Sequence, residues 1–323
     1  MKNRNCSLNE LINEKVFTLN LEQRYGSAYN YRTLGHYIEK NYGLVPMKDV
    51  SPKWASGLHQ RLTKEGKSPS TIKCYFALLQ SITNYAAYLG ATKGDVKLTR
   101  SKPYELDKVK LGKVKTRQNK WLTRDEMDRL WKYWTELPDK PKGEKRWLGL
   151  FMASYLCNGC NIADLVRIKY DDEYYTSDKK LLGFYREKTK NTSGAYVRIP
   201  ITEKLRTIID TIGDPEERNG RVFGNYLKDV DTNDEVAISA KVMMLNSFGS
   251  KVVRKICKKL GMREDVSMTF ARHSFASVLN LDGCNYALIE RSLGHVLGGV
   301  ADHYIANGSV DSLFELNSHL FSN

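Results

Sequence analysis

Residues 270–305 contain side chains that could transfer a phosphoryl group without a cofactor, namely Arg272, His295 and Tyr304. A tyrosine phenolate can attack the phosphorus of a phosphodiester and expel a 5′-hydroxyl, which keeps the bond energy in a phosphotyrosyl link. Cations on the non-bridging oxygens and a proton donor for the leaving oxygen would assist this step. Because a phenol has a pKa of about 10, the attack also needs positive charge or a base nearby.

The order and spacing of these residues resemble a known signature. The chain contains Arg272-His273-Ser274-Phe275-Ala276, then Leu293-Gly294-His295, then Tyr304, with 23 residues from Arg272 to His295 and 9 from His295 to Tyr304. This pattern is similar to the C-terminal signature of the tyrosine recombinases (phage-type integrases). The resemblance implies that Tyr304 is the nucleophile, while Arg272 and His295 bind the scissile phosphate.

The resemblance continues upstream of this signature. The family places an active-site lysine on a β-hairpin before a strand such as Val197-Arg198-Ile199-Pro200-Ile201, which favours Lys188 and leaves Lys190 as its rival. Residues 67–89 are similar to the family's core-binding domain. That similarity implies that Lys67 and Lys73 contact DNA.

Two positions depart from the family pattern. The family's first catalytic arginine corresponds to Asn158 or Asn161, although Asp164 keeps the acidic position. Losing one neutral oxyanion donor costs about 2.7–4 kcal/mol of transition-state stabilisation. We therefore expect either a substitute cation, with Arg167 and Arg186 as candidates, or catalysis that is slow or depends on a partner. The position three before Arg272, usually histidine, is Thr269, which does not titrate near pH 7. The general base is therefore unassigned.

The six cysteines do not indicate a metal or redox site. Cys157 and Cys160 form a Cys-x-x-Cys pair, but no second Cys or His pair lies at a spacing typical of structural zinc. A thioredoxin-like βαβ context is also missing. We expect no metal, no cofactor, and a chain that stays in a reducing cytoplasm.

The sequence predicts two structural units, joined by a linker, that position these candidate residues. Pro52 and Pro69 follow serine caps and predict helix starts, and an apolar period over residues 16–42 predicts another helix. Residues 91–120 have the basic composition of a linker. Thr123-x-x-Glu126 forms a capping box, residues 147–165 read as a buried helix broken near Asn158-Gly159, and residues 181–201 read as paired strands. Helices are expected again from Glu203 and over about 246–260, 272–281, 286–293 and 309–321.

Positive charge is concentrated in the first part of the chain. Residues 1–117 hold 21 Lys/Arg against 9 Asp/Glu, which gives +12 of the formal total of +14. Such asymmetry favours a polyanionic partner. We therefore expect a helical DNA clamp over residues 1–117 and a catalytic domain over 118–323. The expected fold class is mainly α, with a small antiparallel sheet. The sequence contains no run of 18 apolar residues, so it predicts no membrane-spanning helix.

The resemblance implies a site-specific recombinase that cuts and rejoins double-stranded DNA through a 3′-phosphotyrosine. It also implies a homotetramer on two DNA sites, with accessory DNA-bending proteins as further partners. Two alternatives remain: a catalytically impaired DNA-binding protein of the same fold, and a type IB-like topoisomerase. The amphipathic tail at Leu313-Phe314-Glu315-Leu316 and Leu320-Phe321 is expected on a neighbouring protomer, or else folded back on its own domain. The target sequence, and the choice between integration, excision and inversion, stay open.

Overall fold

The computed structural model of the protein describes residues 6–88, 120–140, 142–189, 194–295 and 309–322. The chain divides into two compact units, Met1–Thr116 and Arg117–Asn323. Each unit has its own apolar core. Of the helices in the described ranges, none is both long enough and apolar enough to cross a membrane.

The first unit is built from helices that each bury one apolar face. They are α1 (Leu8–Leu21), α2 (Tyr25–Tyr42), α3 (Pro52–Lys64) and α4 (Pro69–Tyr88), with a 3-10 turn at Met47–Asp49. The predicted start of α3 is confirmed, because Ser51 Oγ accepts a hydrogen bond from the Trp54 amide at 3.3 Å. The apolar stripe of α4 is also confirmed, with Ile72, Leu79 and Ile82 buried.

The prediction of one helix over residues 16–42 was wrong. The chain turns between α1 and α2, where Gln23 has a positive φ of 56°. A capping box of Ser7 and Glu10 starts α1 earlier than the apolar period indicated. The period continues across the turn because both helices pack on the same core. They pack closely, since a Cβ added at Gly35 would lie 3.0 Å from Ile12 Cγ2.

The second unit surrounds one buried helix, α6. Its helices are α5 (Arg124–Glu136), α6 (Gly143–Leu156), α7 (Ile162–Leu165), α8 (Asp172–Thr176), α9 (Glu203–Ile212), α10 (Glu235–Lys259), α11 (Phe270–Leu281), α12 (Tyr286–Ser292) and α13 (Val310–Ser318). Helix α6 is buried continuously from Leu148 to Leu156 and packs against α9, α10 and α11. The capping box at Thr123 and Glu126 is confirmed. Helix α10 begins earlier than predicted because Asp234 caps it.

A two-stranded antiparallel hairpin completes the described part of this unit. Strands β1 (Leu181–Tyr185) and β2 (Tyr196–Pro200) pair with Leu182 opposite Ile199 and Phe184 opposite Val197. The predicted strand pair is confirmed, as is the fold class of a mainly α chain with a small antiparallel sheet. The connection between the strands carries Arg186 and Lys188, while Lys190 lies outside the described residues.

The C-terminal helix α13 folds onto its own unit. Leu316, Leu320 and Phe321 belong to the core of the second unit. The Tyr155 hydroxyl donates a hydrogen bond to the Leu320 carbonyl at 2.7 Å, and Asp128 accepts one from the Ser322 amide at 3.2 Å. The expectation that these side chains pack on a neighbouring protomer is therefore corrected, and the alternative of folding back describes the structure. The physical reason is that the Phe321 ring packs edge-on against the rings of Tyr155 and Trp131 of the same unit.

Candidate active site

Arg272, in the first turn of α11, joins three segments of the second unit. One guanidinium nitrogen, Nη1, donates to the Gly159 carbonyl at 3.1 Å. The other, Nη2, donates to the Leu293 carbonyl at 2.7 Å and lies 3.0 Å from His295 Nε2. Two residues that the sequence placed 23 positions apart are thus in direct contact.

His295 follows α12 and is oriented from both sides of its ring. Its Nδ1 lies 2.8 Å from Glu290 Oε2, and its Nε2 faces the Arg272 guanidinium. Since arginine can only donate, these partners assign the proton to Nδ1 and the lone pair to Nε2. The ring remains 41% exposed, so another group can still approach it.

Arg186, directly after β1, adds a second cation to the group of residues around Arg272 and His295, which is called the pocket below. The side chain is buried, and its Nη1 donates to the Gly294 carbonyl at 3.1 Å. Burial, followed by the charge of Arg186, lowers the pKa of Arg272 to about 10. The Arg272 guanidinium is therefore charged at pH 7, and Arg186 repels it.

Asp164 supplies the buried carboxylate beside these cations. Its Oδ1 accepts a hydrogen bond from the Glu187 amide at 2.8 Å, which fixes the chain where it leaves β1. Burial raises the pKa of Asp164, while that hydrogen bond and the charges of Arg186 and Arg272 oppose the shift. The acidic position that matches the family pattern thus lies next to the basic pair.

Two glycines give the backbone the close approach that this pocket needs. A Cβ added at Gly294 would lie 2.6 Å from Arg186 Cδ and 2.8 Å from Val197 Cγ2. A Cβ added at Gly159 would lie 3.0 Å from Arg272 Cα. Both glycines also have positive φ angles, of 67° and 63°. Sterics therefore explain why position 294 of Leu293-Gly294-His295 is glycine, because a larger residue would displace Arg186.

The two asparagines at the family's arginine positions differ in their surroundings. Asn158 is buried, and its Nδ2 donates to the Arg198 carbonyl at 2.9 Å, while its Oδ1 accepts from Asn317 Nδ2 at 3.2 Å. It joins β2 to α13 and has a structural role. Asn161 precedes α7, is half-buried, and makes no side-chain capping hydrogen bond.

The two candidate substitutes for the missing arginine, Arg167 and Arg186, also differ in their surroundings. Arg167 Nη2 lies 2.6 Å from Glu235 Oε2, and its Nε lies 3.9 Å from Glu187 Oε2. Its charge is thus compensated by two carboxylates. The structure brings Arg186 to Arg272 and Gly294, whereas it holds Arg167 at the start of α10.

The remaining residues expected at the site are only partly described. Lys188 is exposed in the turn after β1. Thr269 is exposed at the start of α11, with its hydroxyl 2.9 Å from that of Ser267. Tyr304 and Lys190 lie outside the described residues, so the structure gives no geometry for them.

The cysteines of the Cys-x-x-Cys pair are buried in the core. Burial raises the pKa of both Cys157 and Cys160. Within the described ranges, neither belongs to a cluster of three potential metal ligands.

Sequence reasoning missed Glu290, which orients His295, and Gly159, whose carbonyl holds Arg272. Glu290 lies five residues before His295 near the end of a short helix, and this spacing was an available signal. The contact with Gly159 joins residues 113 positions apart and has no local signal.

In the first unit, the candidate DNA-binding lysines Lys67 and Lys73 are both exposed at the start of α4. The ammonium of Lys67 lies 5.9 Å from the centre of the Tyr37 ring. The Ser68 hydroxyl between them accepts a hydrogen bond from the Thr71 amide at 3.2 Å, which caps the helix.

Comparisons with known proteins found similarity in sequence and in fold. No family model matches the chain. The tyrosine recombinase XerD of Listeria innocua is 22% identical over 298 residues, which cover 89% of this chain and 88% of the relative. A structure of the Tn1549 transposon integrase with transposon right end DNA matches with a TM-score of 0.62 at 14% identity, covering 96% of this chain and 98% of that one. A lambda integrase dimer bound to a COC′ core site matches with a TM-score of 0.58 at 16% identity, covering 93% and 96%. The chain thus resembles a tyrosine recombinase in sequence over most of its length and matches integrases in fold.

Proposed function

We propose that the protein is a site-specific DNA recombinase that cuts and rejoins DNA through a covalent 3′-phosphotyrosine at Tyr304. The observation that carries this proposal is the contact between Arg272 and His295, with a second guanidinium, Arg186, in the same pocket. A pocket with two cations and an oriented imidazole suits the negative charge that a pentacovalent phosphate develops.

In the proposed reaction, the Tyr304 phenolate attacks phosphorus, the bond to the 5′-oxygen breaks, and that oxygen leaves as a hydroxyl after taking a proton. Arg272 and Lys188 neutralise the non-bridging oxygens. His295 hydrogen-bonds one of them through Nε2, which carries a proton in this step and turns from Arg272 to the phosphate. Lys188, exposed on the hairpin turn, is the proposed proton donor. The reverse attack by a 5′-hydroxyl of a second strand releases Tyr304 and restores a phosphodiester, so no cofactor is needed.

Arg186 is the proposed replacement for the arginine missing at Asn161. Among the residues that the structure describes, its Nε has no hydrogen-bond partner although it is buried. Because Arg186 is buried, it acts by adding positive potential to the pocket and by fixing Gly294, and Arg272 makes the contact with phosphate. Arg167 is the weaker candidate because Glu235 and Glu187 already compensate its charge.

The proposed partners are double-stranded DNA and further copies of this chain, assembled as a tetramer on two DNA sites, with accessory DNA-bending proteins. A lambda integrase tetramer bound to a Holliday junction shares the fold, with a TM-score of 0.54 at 17% identity over 90% of this chain and 77% of that one. Residues 1–117 are the proposed DNA clamp, and residues 118–323 the proposed catalytic domain.

The test of the proposed function is covalent trapping on a nicked suicide substrate. Candidate sites come from the DNA flanking the gene, searched for inverted repeats or element ends. Wild-type protein should become joined to the 3′-phosphate, because the released 5′ fragment diffuses away and cannot rejoin. Tyr304→Phe should give no adduct with unchanged DNA affinity, while Arg272→Ala and Lys188→Ala should slow its formation. Tyr286→Phe is the matched control, since Tyr286 is an exposed tyrosine of α12.

One observation favours a second candidate, a DNA-binding protein of the same fold that does not cut. Both positions that could carry the family's first arginine are asparagine, and Asn158 is used to join β2 to α13. Tight binding by wild-type protein without any adduct would support this candidate. Nicked, tyrosine-linked DNA without strand exchange would instead indicate a type IB-like topoisomerase. An adduct that persists in Tyr304→Phe would refute the assignment of the nucleophile.

A further inference from the structure

Four potential metal ligands surround a cavity between the end of α11 and helix α13. Asp282 and Cys284 lie in the turn after α11, and His319 directly follows α13. A carboxylate oxygen, the thiol sulfur and a ring nitrogen of these three residues all lie within 4.8 Å of one another. The cavity has a volume of about 290 Å³, and Glu315 of α13 also lines it.

The local structure explains why these side chains converge. Gly283, with a φ of 77°, turns the chain so that Asp282 and Cys284 can both face the cavity. Glu315 and His319 are four residues apart and therefore project from the same face of the helix. Two elements, each offering a pair of ligands, meet at this point.

Asp282 is already oriented as a metal ligand would be. Arg124 Nη2 holds Asp282 Oδ1 at 2.7 Å. The other oxygen, Oδ2, is hydrogen-bonded by His319 Nδ1. A cation could therefore bind between Oδ2 and Nδ1 while Arg124 continues to fix the carboxylate, and such outer contacts commonly support metal ligands.

The ligand types and their separations suit zinc. Thiolate, imidazole and carboxylate are the donors that Zn²⁺ prefers, and four of them complete a tetrahedral site. Zinc–ligand bonds of about 2.0–2.3 Å put tetrahedral ligand atoms roughly 3.3–3.8 Å apart. The three donor atoms lie within 4.8 Å of one another, so the most distant of them need to approach by about 1 Å, whereas Asp282 Oδ2 and His319 Nδ1 are hydrogen-bonded and need to move apart to admit the metal. Rotation of these surface side chains supplies both movements.

The charges around Cys284 also suit a cation. Asp282 and Glu315 place two carboxylates near the half-buried thiol, against the single positive charge of Arg124. A divalent cation would neutralise this cluster and favour the thiolate. Among the described residues, the two buried cysteines elsewhere in the unit, Cys157 and Cys160, belong to no cluster of three potential metal ligands.

We propose that Asp282, Cys284 and His319, with Glu315 as the fourth ligand, bind one Zn²⁺ that joins the end of α11 to helix α13. The site is independent of the proposed recombination chemistry. Its ligands bracket residues 285–314 of the sequence, which include His295 and Tyr304. The metal would thus hold together both ends of the segment that carries the proposed nucleophile.

The test is metal binding by the full-length, reduced, metal-free protein, with Co²⁺ as a spectroscopic probe and Zn²⁺ as competitor. Wild-type protein should bind one Co²⁺ per chain, with a thiolate-to-cobalt charge-transfer band and the visible bands of a tetrahedral site. One equivalent of Zn²⁺ should abolish these bands. Zn²⁺ should also raise the melting temperature and slow amide exchange in α13.

Cys284→Ser should remove the charge-transfer band, and His319→Gln should weaken Co²⁺ binding by at least tenfold. The matched controls are Cys74→Ser and His36→Gln, which alter an exposed cysteine and an exposed histidine of the first unit and should bind as wild type does. Both ligand variants change side chains that are not fully buried, and circular dichroism checks that they fold. The proposal is overturned if wild-type protein shows no band, if the band survives in Cys284→Ser, or if Cys74→Ser loses it. Because these measurements need no DNA, failure of the recombination assay would leave them unaffected.

Discussion

At the scale of single residues, the pocket contains two arginines that come from different sequence contexts. Arg272 belongs to a signature that the sequence displays, whereas Arg186 stands at a hairpin position with no such signature. In the proposed site both supply positive charge where the family's first arginine is absent, since neither asparagine brings charge. Coulomb interactions between partly buried charges act over several ångströms, so the proposed role of Arg186 requires no contact with the substrate.

Arg186→Ala should therefore slow formation of the covalent adduct by roughly 10²–10³-fold, the effect of removing one electrostatic stabiliser of a transition state. Site-specific DNA affinity should change much less. The matched control is Arg167→Ala, whose charge is compensated by Glu235 and Glu187. Single-turnover rates on the suicide substrate check this.

A rescue experiment distinguishes lost charge from lost packing. Asn161→Arg, at a half-buried position before α7, should restore part of the rate in the Arg186→Ala background. Asn158→Arg should not, because it would disrupt the hydrogen bonds of Asn158 with Arg198 and Asn317. Equal loss in Arg186→Ala and Arg167→Ala would contradict the assignment of Arg186.

Much of the pocket could be predicted from residue types and spacing, but some of its partners could not. The contact of Arg272 with His295 agrees with the signature. The choice between Arg186 and Arg167 could not be made, because it depends on Glu235, which is 68 residues from Arg167. The cluster of Asp282, Cys284 and His319 was missed because its members come from two elements more than 30 residues apart.

At the scale of elements, local signals were most reliable where a cap or a turn is encoded by side chains. Ser51, Thr123 and Ser309 each accept the hydrogen bond that starts a helix. The break at Gln23 was missed because the apolar period runs through it. The docking of α13 was left open, because an amphipathic helix shows which face is buried but not which chain buries it.

Leu316→Ala tests where α13 packs. Leu316 is 3% exposed, so truncation should lower the free energy of unfolding by about 2–5 kcal/mol. The loss should not depend on protein concentration, because the helix packs within its own unit. Denaturant unfolding at two concentrations measures this, with Leu281→Ala, 70% exposed, as the near-neutral control. A loss that grows on dilution would favour packing on a neighbouring protomer.

At the scale of the whole molecule, the charge distribution is the main feature. The excess of +12 in residues 1–117 suits the release of counterions from a DNA backbone. With six or more phosphates contacted, affinity for DNA should fall about 10³-fold or more between 50 and 200 mM salt.

Replacing Lys67 and Lys73 together by Gln should lower the slope of log affinity against log salt by about 2, one unit for each DNA phosphate that is no longer neutralised. Fluorescence anisotropy over a salt series measures the slope. Lys132→Gln with Lys140→Gln removes the same charge from exposed positions of the second unit and should lower the slope less. Equal slopes for the two double variants would count against residues 1–117 as the DNA clamp.

The bonding of Arg272 has a practical consequence for anyone who needs an inactive form of this protein. Its guanidinium ties the turn at Gly159 and the end of α12 to α11, so replacing it leaves two carbonyls without their donor. Such a variant would lose folding free energy as well as activity, and an absence of product would have two explanations. For trapping complexes with DNA, Tyr304→Phe is the better choice, because it removes one oxygen atom and none of these hydrogen bonds.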